Sequence, residues 1–285
     1  ARIVELSNGS AIATQTVGDG NAGNIHITAT ERLSLLDKPA DQSILIARSN
    51  ISTQSLGLPD ADNPFGVNGN AGNIIINTPQ LELTNGARIN SATLTSGRGG
   101  DVTVTNANSV SITGEGPFDN FEQSFFGPGG SPASGIYTST LGSTGCVGPC
   151  GNAGNINITT GSLTLQNGGL LNSGSSSSGA GGDITISATG NIQLSGTMLD
   201  GTPGGIFSRS IGTTLDSGVG GNISLTAGQS VTISNGASVS ASSTGPGPTG
   251  NIQINAGNQF AMTNSSVTTE ALHSSGGTVK ITTNP

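Results

Sequence analysis

Gly20-Asn21-Ala22-Gly23-Asn24-Ile25-His26-Ile27 returns as Gly69-Asn70-Ala71-Gly72-Asn73-Ile74-Ile75-Ile76. It returns again as Gly151-Asn152-Ala153-Gly154-Asn155-Ile156-Asn157-Ile158. Its second half is an anchor found more widely: Gly, then Asn, Asp or Thr, then two β-branched or leucine residues flanking one variable position. Further copies begin at Gly100, Gly182, Gly221, Gly250 and Gly277, making eight in all. The glycines are separated by 49, 28, 54, 28, 39, 29 and 27 residues. The unit is therefore about 28 residues, with three gaps lengthened.

Within the unit the apolar period is two, which predicts strands. A second alternating stretch follows each anchor, as in Leu81-Glu82-Leu83, Leu163-Thr164-Leu165 and Val231-Thr232-Ile233. It often closes in Asn-Gly, at Asn85-Gly86, Asn167-Gly168 and Asn235-Gly236, a pair that tolerates left-handed backbone. A third short strand follows, carrying one apolar residue: Ile12, Ile89, Leu171, Val239 or Val267. Three strands per unit with no helical segment cannot form a βαβ sheet. They can wind as a parallel β-helix whose coils stack at ~4.8 Å, giving about eight coils and a rod of about 40 Å. The inward rows would be Ile25, Ile27, Ile74, Ile76, Ile156, Ile158, Ile184 and Ile186. One outward row would be His26, Ile75, Thr103, Asn157, Thr185, Ser224, Gln253 and Lys280. A β-propeller is the rival, but its repeats run ~40–45 residues with a Trp-Asp signature, and this chain has no tryptophan.

Composition agrees. Glycine fills 47 of 285 positions, against a usual share of ~7%. A period turns that excess from a mark of disorder into corner punctuation. Eight Lys+Arg against sixteen Asp+Glu give −8, which excludes a basic surface for nucleic acid or anionic lipid. No apolar run reaches the ~20 residues of a membrane span. No basic-then-apolar segment opens the chain, so an export signal is expected to lie outside this stretch.

The expectation is one β-helix domain over residues 1–285, with insertions near 56–70, 115–133 and 141–151. The second insertion holds Phe118, Phe121, Phe125 and Phe126, four of seven phenylalanines. These rings either pack over a flank of the rod or form a partner-facing apolar patch. The third holds Cys146 and Cys150, the only cysteines. A metal site would need further ligands, and a thioredoxin-type motif needs C-x-x-C at a helix start. A small disulfide loop, fitting an oxidising extracellular compartment, is the expected reading, with free thiols the alternative.

Polysaccharide-cleaving β-helices use clustered carboxylates on one outer face. Here the outward positions of the second strand are Glu5, Ser34, Glu82, Ser111, Thr164, Gln193 and Thr232, which separates the two acids. Asp101 and Asp183 stand where other anchors carry Asn and read as turn caps. His26 and His273 lie far apart, and no G-x-S-x-G nucleophile turn stands out. Gly97–Asp101 and Gly179–Asp183 resemble calcium-binding nonapeptides, but the period is wrong. Asp60-Ala61-Asp62-Asn63 has ligand-like spacing without the closing Glu. A Thr-x-Thr ice-binding ladder would need more uniform rows. No catalytic, metal or cofactor site is expected.

The G-N-A-G-N-I-x-I repeat, with its L-x-L-x-N-G-A/G-x-I continuation, resembles the repeat region of large cyanobacterial exoproteins of the filamentous-haemagglutinin type. The resemblance spans Ile3 to Ile281. It implies a right-handed parallel β-helix, secretion by a two-partner route, and a surface role in adhesion or filament building. It offers no catalytic residues. The chain opens on a second-type strand and stops on an anchor strand, so it is expected either to be a piece of a longer array or to stack end to end with copies of itself. The expected function is a secreted, non-enzymatic structural or adhesive module meeting cell-surface or matrix components or polysaccharide. The alternative is a carbohydrate-active β-helix enzyme or a sugar-binding module.

Overall fold

The computed structural model describes residues 1–37, 48–56, 69–116, 133–140, 151–176, 178–212 and 218–284. The fold is an all-β parallel β-helix. Strands β1 (Ile3–Ser7) and β2 (Ala11–Thr16) come first. Then follow β3 (Ile25–Thr28), β4 (Arg32–Leu36) and β5 (Asn50–Ser55), and the next coil, β6 (Ile74–Asn77), β7 (Gln80–Thr84) and β8 (Arg88–Thr93). In the two middle coils the anchor and second strand run together as β9 (Val102–Thr113) before β10 (Gly135–Thr140), and as β11 (Ile156–Gln166) before β12 (Leu170–Ser175). The fifth coil is β13 (Ile184–Ala188), β14 (Ile192–Ser195) and β15 (Gly205–Ser210). The sixth is β16 (Ile223–Ala227), β17 (Ser230–Ser234) and β18 (Ser238–Ser243). The seventh is β19 (Ile252–Ala256), β20 (Gln259–Thr263) and β21 (Ser266–Ala271), after which β22 (Val279–Thr283) begins another.

Every strand pairs in parallel with its counterpart one coil away. The third strands form a separate eight-stranded sheet in the order β2-β5-β8-β10-β12-β15-β18-β21. The outward row expected from the anchors is the observed register, His26↔Ile75↔Thr103↔Asn157↔Thr185↔Ser224↔Gln253↔Lys280. The inward rows join one continuous aliphatic core from Leu6 to Ala256. Burying these rows drives the winding, at about 25 cal/mol per Å² of apolar surface removed from water.

Two polar devices set the coil. The Asn or Asp after each anchor glycine accepts, through Oδ1, the backbone N–H of the same position one coil on. The bonds run Asn24 to Asn73, Asn73 to Asp101, Asp101 to Asn155, Asn155 to Asp183, Asp183 to Asn222, Asn222 to Asn251 and Asn251 to Thr278, at 2.7–2.9 Å. Asn and Asp are interchangeable here because only an acceptor oxygen is used. Asp101 and Asp183 are thus caps, as expected. The second device faces inward from the third strands. Thr53 and Ser91 donate to the Gly72 carbonyl, Thr138 and Ser173 to Gly154, and Ser208 to Gly182, at 2.6–2.8 Å. This explains why the third strand shows one apolar residue and not two.

The glycines divide into two kinds. Asn8-Gly9, Asn85-Gly86, Asn167-Gly168 and Asn235-Gly236 all have positive φ, as the turn chemistry requires. The anchor glycines do not appear among the positive-φ residues. They are required by close approach: a Cβ on Gly100, Gly154, Gly182 or Gly221 would lie 2.5–2.6 Å from the carbonyl carbon of the preceding anchor glycine.

The lengthened gaps resolve differently from expectation in two of three cases. The first is split over two corners, 37–49 before β5 and 56–73 after it, because Ile51 supplies a third-strand residue between them. The gap between Gly182 and Gly221 is also split, into 196–204 and 211–222 around β15. Every lengthening falls at a corner beside the third-strand sheet. The anchor-to-second-strand corner varies by a single residue only, the extra residue in β9 being absorbed as a register shift opposite Ile158–Thr160 of β11.

Candidate interaction face

The three outer faces carry different chemistry. On the second-strand face, Glu5 pairs in register with Ser34, and Ser34 with Glu82, so a coil separates the two acids. Glu5 is held by Arg32 at 2.9 Å. On the anchor face Arg98 pairs with Asp101 at 2.9 Å. These exposed pairs contribute little to stability. The third-strand face is the one bordered by lengthened corners, and it collects residues of another kind.

Register aligns Asn90, Tyr137, Asn172 and Phe207 as one outward row on four successive coils. Phe207 packs in a small cluster with Ala133, Leu170 and Met198, against which Tyr137 leans. Met198 and Ala133 come from the lengthened corners, so the insertions close over this part of the sheet. Arg88 lies over the Tyr137 ring, 5.3 Å from its centroid, and Arg209 over Phe207 at 4.0 Å. The Tyr137 hydroxyl donates to the Ala133 carbonyl at 2.9 Å. Burial lowers the Arg209 guanidinium below its usual value, and the charge of Glu270 opposes this. Arg88 is almost wholly buried, and so is Arg48, whose side chain lies against Gly86 and Gly116.

A clasp links two corners. Glu115 bridges to Ala133 by backbone pairing, and its Oε1 accepts the Leu199 N–H at 3.1 Å. It therefore reaches from the corner before β10 to the corner before β15. Burial pushes its carboxyl up, with the Asp200 charge adding and the Leu199 bond and Arg48 opposing. Asp200 itself is held low by the Thr202 backbone and hydroxyl, in a tight turn at the corner tip.

Phe118, Phe121, Phe125 and Phe126, Cys146 and Cys150, and Asp60 to Asn63 lie outside the described residues. His26 heads the anchor row, and His273 follows β21 at the other end of the stack. Among the described residues no three His, Cys, Asp or Glu side chains group as metal ligands, and no helix is long and apolar enough to cross a membrane.

Sequence reading missed Tyr137, Phe207, Arg88 and Arg209. A signal was available. Gly135-Ile136-Tyr137-Thr138-Ser139-Thr140 and Gly205-Ile206-Phe207-Ser208-Arg209-Ser210 are the same strand two coils apart, each after a lengthened corner and each with a ring facing out. Their third-strand role was hidden because the insertions displace them from the 28-residue spacing.

The chain matches no family model, and no curated protein or solved structure matches it.

Proposed function

We propose that this chain is a secreted, non-enzymatic surface module: a stiff β-helical rod of the filamentous-haemagglutinin type that adheres through the loop-bordered third-strand face. One observation carries the reading. Eight stacked turns keep their pairing on the anchor and second-strand faces, while every lengthened segment falls at the two corners of the remaining face. A rigid scaffold with variable loops gathered on one side is how binding surfaces are commonly built. The phenylalanine-rich stretch 114–134 and the cysteine-bearing stretch 141–155 are assigned here as its contact segments. The carboxylates support the same view. Asp101 and Asp183 are committed to capping, and Glu5 to Arg32.

The test is to trim the corners 114–134 and 196–204 to Asn-Gly-Ala, the connection used at residues 85–87 and 235–237. Binding to matrix- and polysaccharide-coated surfaces is then compared with the intact chain. Lost adhesion is expected in a chain that keeps the β-helix circular-dichroism spectrum, at a melting midpoint lowered because Ala133 and Met198 no longer cover Phe207. Unchanged adhesion after both trims would refute the assignment.

A further inference from the structure

The Asn-Gly turns carry a chemistry that adhesion does not use. Asparagine is a thermolabile residue, and most so before glycine. With no side chain in the way, the glycine nitrogen can attack the amide carbon of the asparagine before it. The N–Cγ bond forms, and ammonia leaves from Cγ with the proton that the glycine nitrogen gives up. Water then opens the imide. Breaking one imide bond gives aspartate, and breaking the other gives isoaspartate, with an extra carbon in the main chain. No electrons change hands, and water is the co-reactant.

Four Asn-Gly pairs lie wholly among the described residues, and their asparagines have φ between 49° and 54°. Backbone conformation therefore does not separate them. Their bonding does. At Asn85 both reacting groups are tied: the amide donates to the Asp37 carbonyl at 2.7 Å, and the Gly86 N–H to Ser134 Oγ at 2.8 Å. At Asn235 the amide donates to Ser195 Oγ at 3.0 Å, and the Gly236 N–H to the Asn264 carbonyl at 2.6 Å. At Asn8 the bonds are longer, 3.4 Å from the amide to Ser7 Oγ and 3.3 and 3.4 Å from the Gly9 N–H to Ser49 Oγ and Asp37 Oδ1. The Asn167 amide and the Gly168 N–H donate to nothing among the described residues. Their place in the stack explains this. Along this corner the N–H ladder runs Asn85, Gly114, Asn167, Gly196, Asn235, each donating to the carbonyl just before the next. Asn167 thus stands between two glycines, while Asn85 reaches Asp37 and Asn235 reaches Ser195.

We infer that Asn167 is a self-modification site: in the folded chain it converts through the imide to aspartate and isoaspartate ahead of the other three. Asn167 is exposed, so water reaches its amide. Gly168 is packed against the neighbouring corner. A Cβ on Gly168 would lie 2.7 Å from Met198 Cγ, and one on Gly204 would lie 2.8 Å from the Gly168 Cα. Isoaspartate lengthens the main chain at this contact, so the modification strains the 196–204 corner.

The experiment incubates the folded chain in mildly alkaline heavy-oxygen water and follows each Asn-Gly peptide by mass spectrometry, beside a sample unfolded in urea. Opening a turn against two hydrogen bonds slows it by about tenfold or more. Asn167 should therefore convert about tenfold faster than Asn85 and Asn235, with Asn8 between. In urea all four should convert at similar rates, since each has glycine next. Ser195→Ala removes the acceptor of the Asn235 amide, so it should speed Asn235 about fivefold and leave Asn167 unchanged. Incubation should lower the wild-type melting midpoint more than that of Asn167→Gln. If Ser195→Ala fails to fold, the comparison of folded and unfolded wild type still decides. Any of the other three turns matching Asn167 in the folded chain, or Asn167 left intact there while it converts in urea, would overturn the proposal.

Discussion

Gly154→Ala and Gly23→Ala add the same methyl group at the same motif position, and the structure expects opposite results. Neither glycine appears among the positive-φ residues, so backbone strain does not separate them. At Gly23 the new Cβ meets only Thr14 side-chain carbons, at 3.6 and 3.7 Å. At Gly154 it lies 2.5 Å from the Gly100 carbonyl carbon and closer still to the oxygen. Ordinary carbon contacts sit at about 3.5–4.0 Å, so the coils must part by about 1 Å at that corner. The bonds across it are Gly99 N to Asn152 O at 3.0 Å, Asn155 N to Asp101 Oδ1 at 2.7 Å and Val102 N to Asn155 O at 2.9 Å. Overpacking costs about 1–3 kcal/mol, and each bond stretched beyond use costs about 1 kcal/mol more. Together Gly154→Ala should lose about 4–6 kcal/mol, a fall in melting midpoint of roughly 10 °C or more. Gly23→Ala should be neutral or gain about 0.5 kcal/mol through the unfolded chain. Thermal melts followed by far-ultraviolet circular dichroism read both. Equal midpoints for the two variants would refute the close-approach explanation of the anchor glycines.

Other faces of the structure make their own demands. Asp183→Asn should leave stability unchanged, while Asp183→Ala should lose about 1–2 kcal/mol, because Asp183 serves by accepting the Asn222 bonds; urea titration distinguishes them, and an equal loss in both would count against the ladder. Ile156→Ala, fully buried in mid-row, should cost about 3 kcal/mol, whereas Ile281→Ala, 42% exposed, should cost less than about 1 kcal/mol. Burial holds the Glu115 carboxyl above its usual range, so the folded chain binds that proton more tightly than the unfolded chain. Ionising it therefore costs stability as pH rises through the folded value. Glu115→Gln, which keeps an acceptor for Leu199, should melt higher than wild type near pH 7, with the gain fading below about pH 4. A gain constant across that range would remove the carboxylate from the explanation.

The β-helix was legible because its determinants are local and repeated. Anchor glycine, capping Asn or Asp and alternating Ile recur at fixed spacing, and the register follows from them. Ile51, Ile136 and Ile206 escaped because their strands float between insertions of unequal length, where spacing carries no information. The anchor glycines were read as corner punctuation, but their reason is the carbonyl one coil before, a neighbour invisible along the chain. Asp101 and Asp183 were legible as caps because their column elsewhere holds Asn.

An adhesive scaffold and a polysaccharide-cleaving enzyme differ most plainly in what they leave behind. Polysaccharide-coated surfaces incubated with the chain can be assayed at once for retained protein and for newly released reducing or unsaturated sugar ends. Retention that depends on the third-strand corners, with no product accumulating over time, is the expected result. Steady product formation, abolished by replacing a single carboxylate such as Glu82 or Glu115, would contradict it.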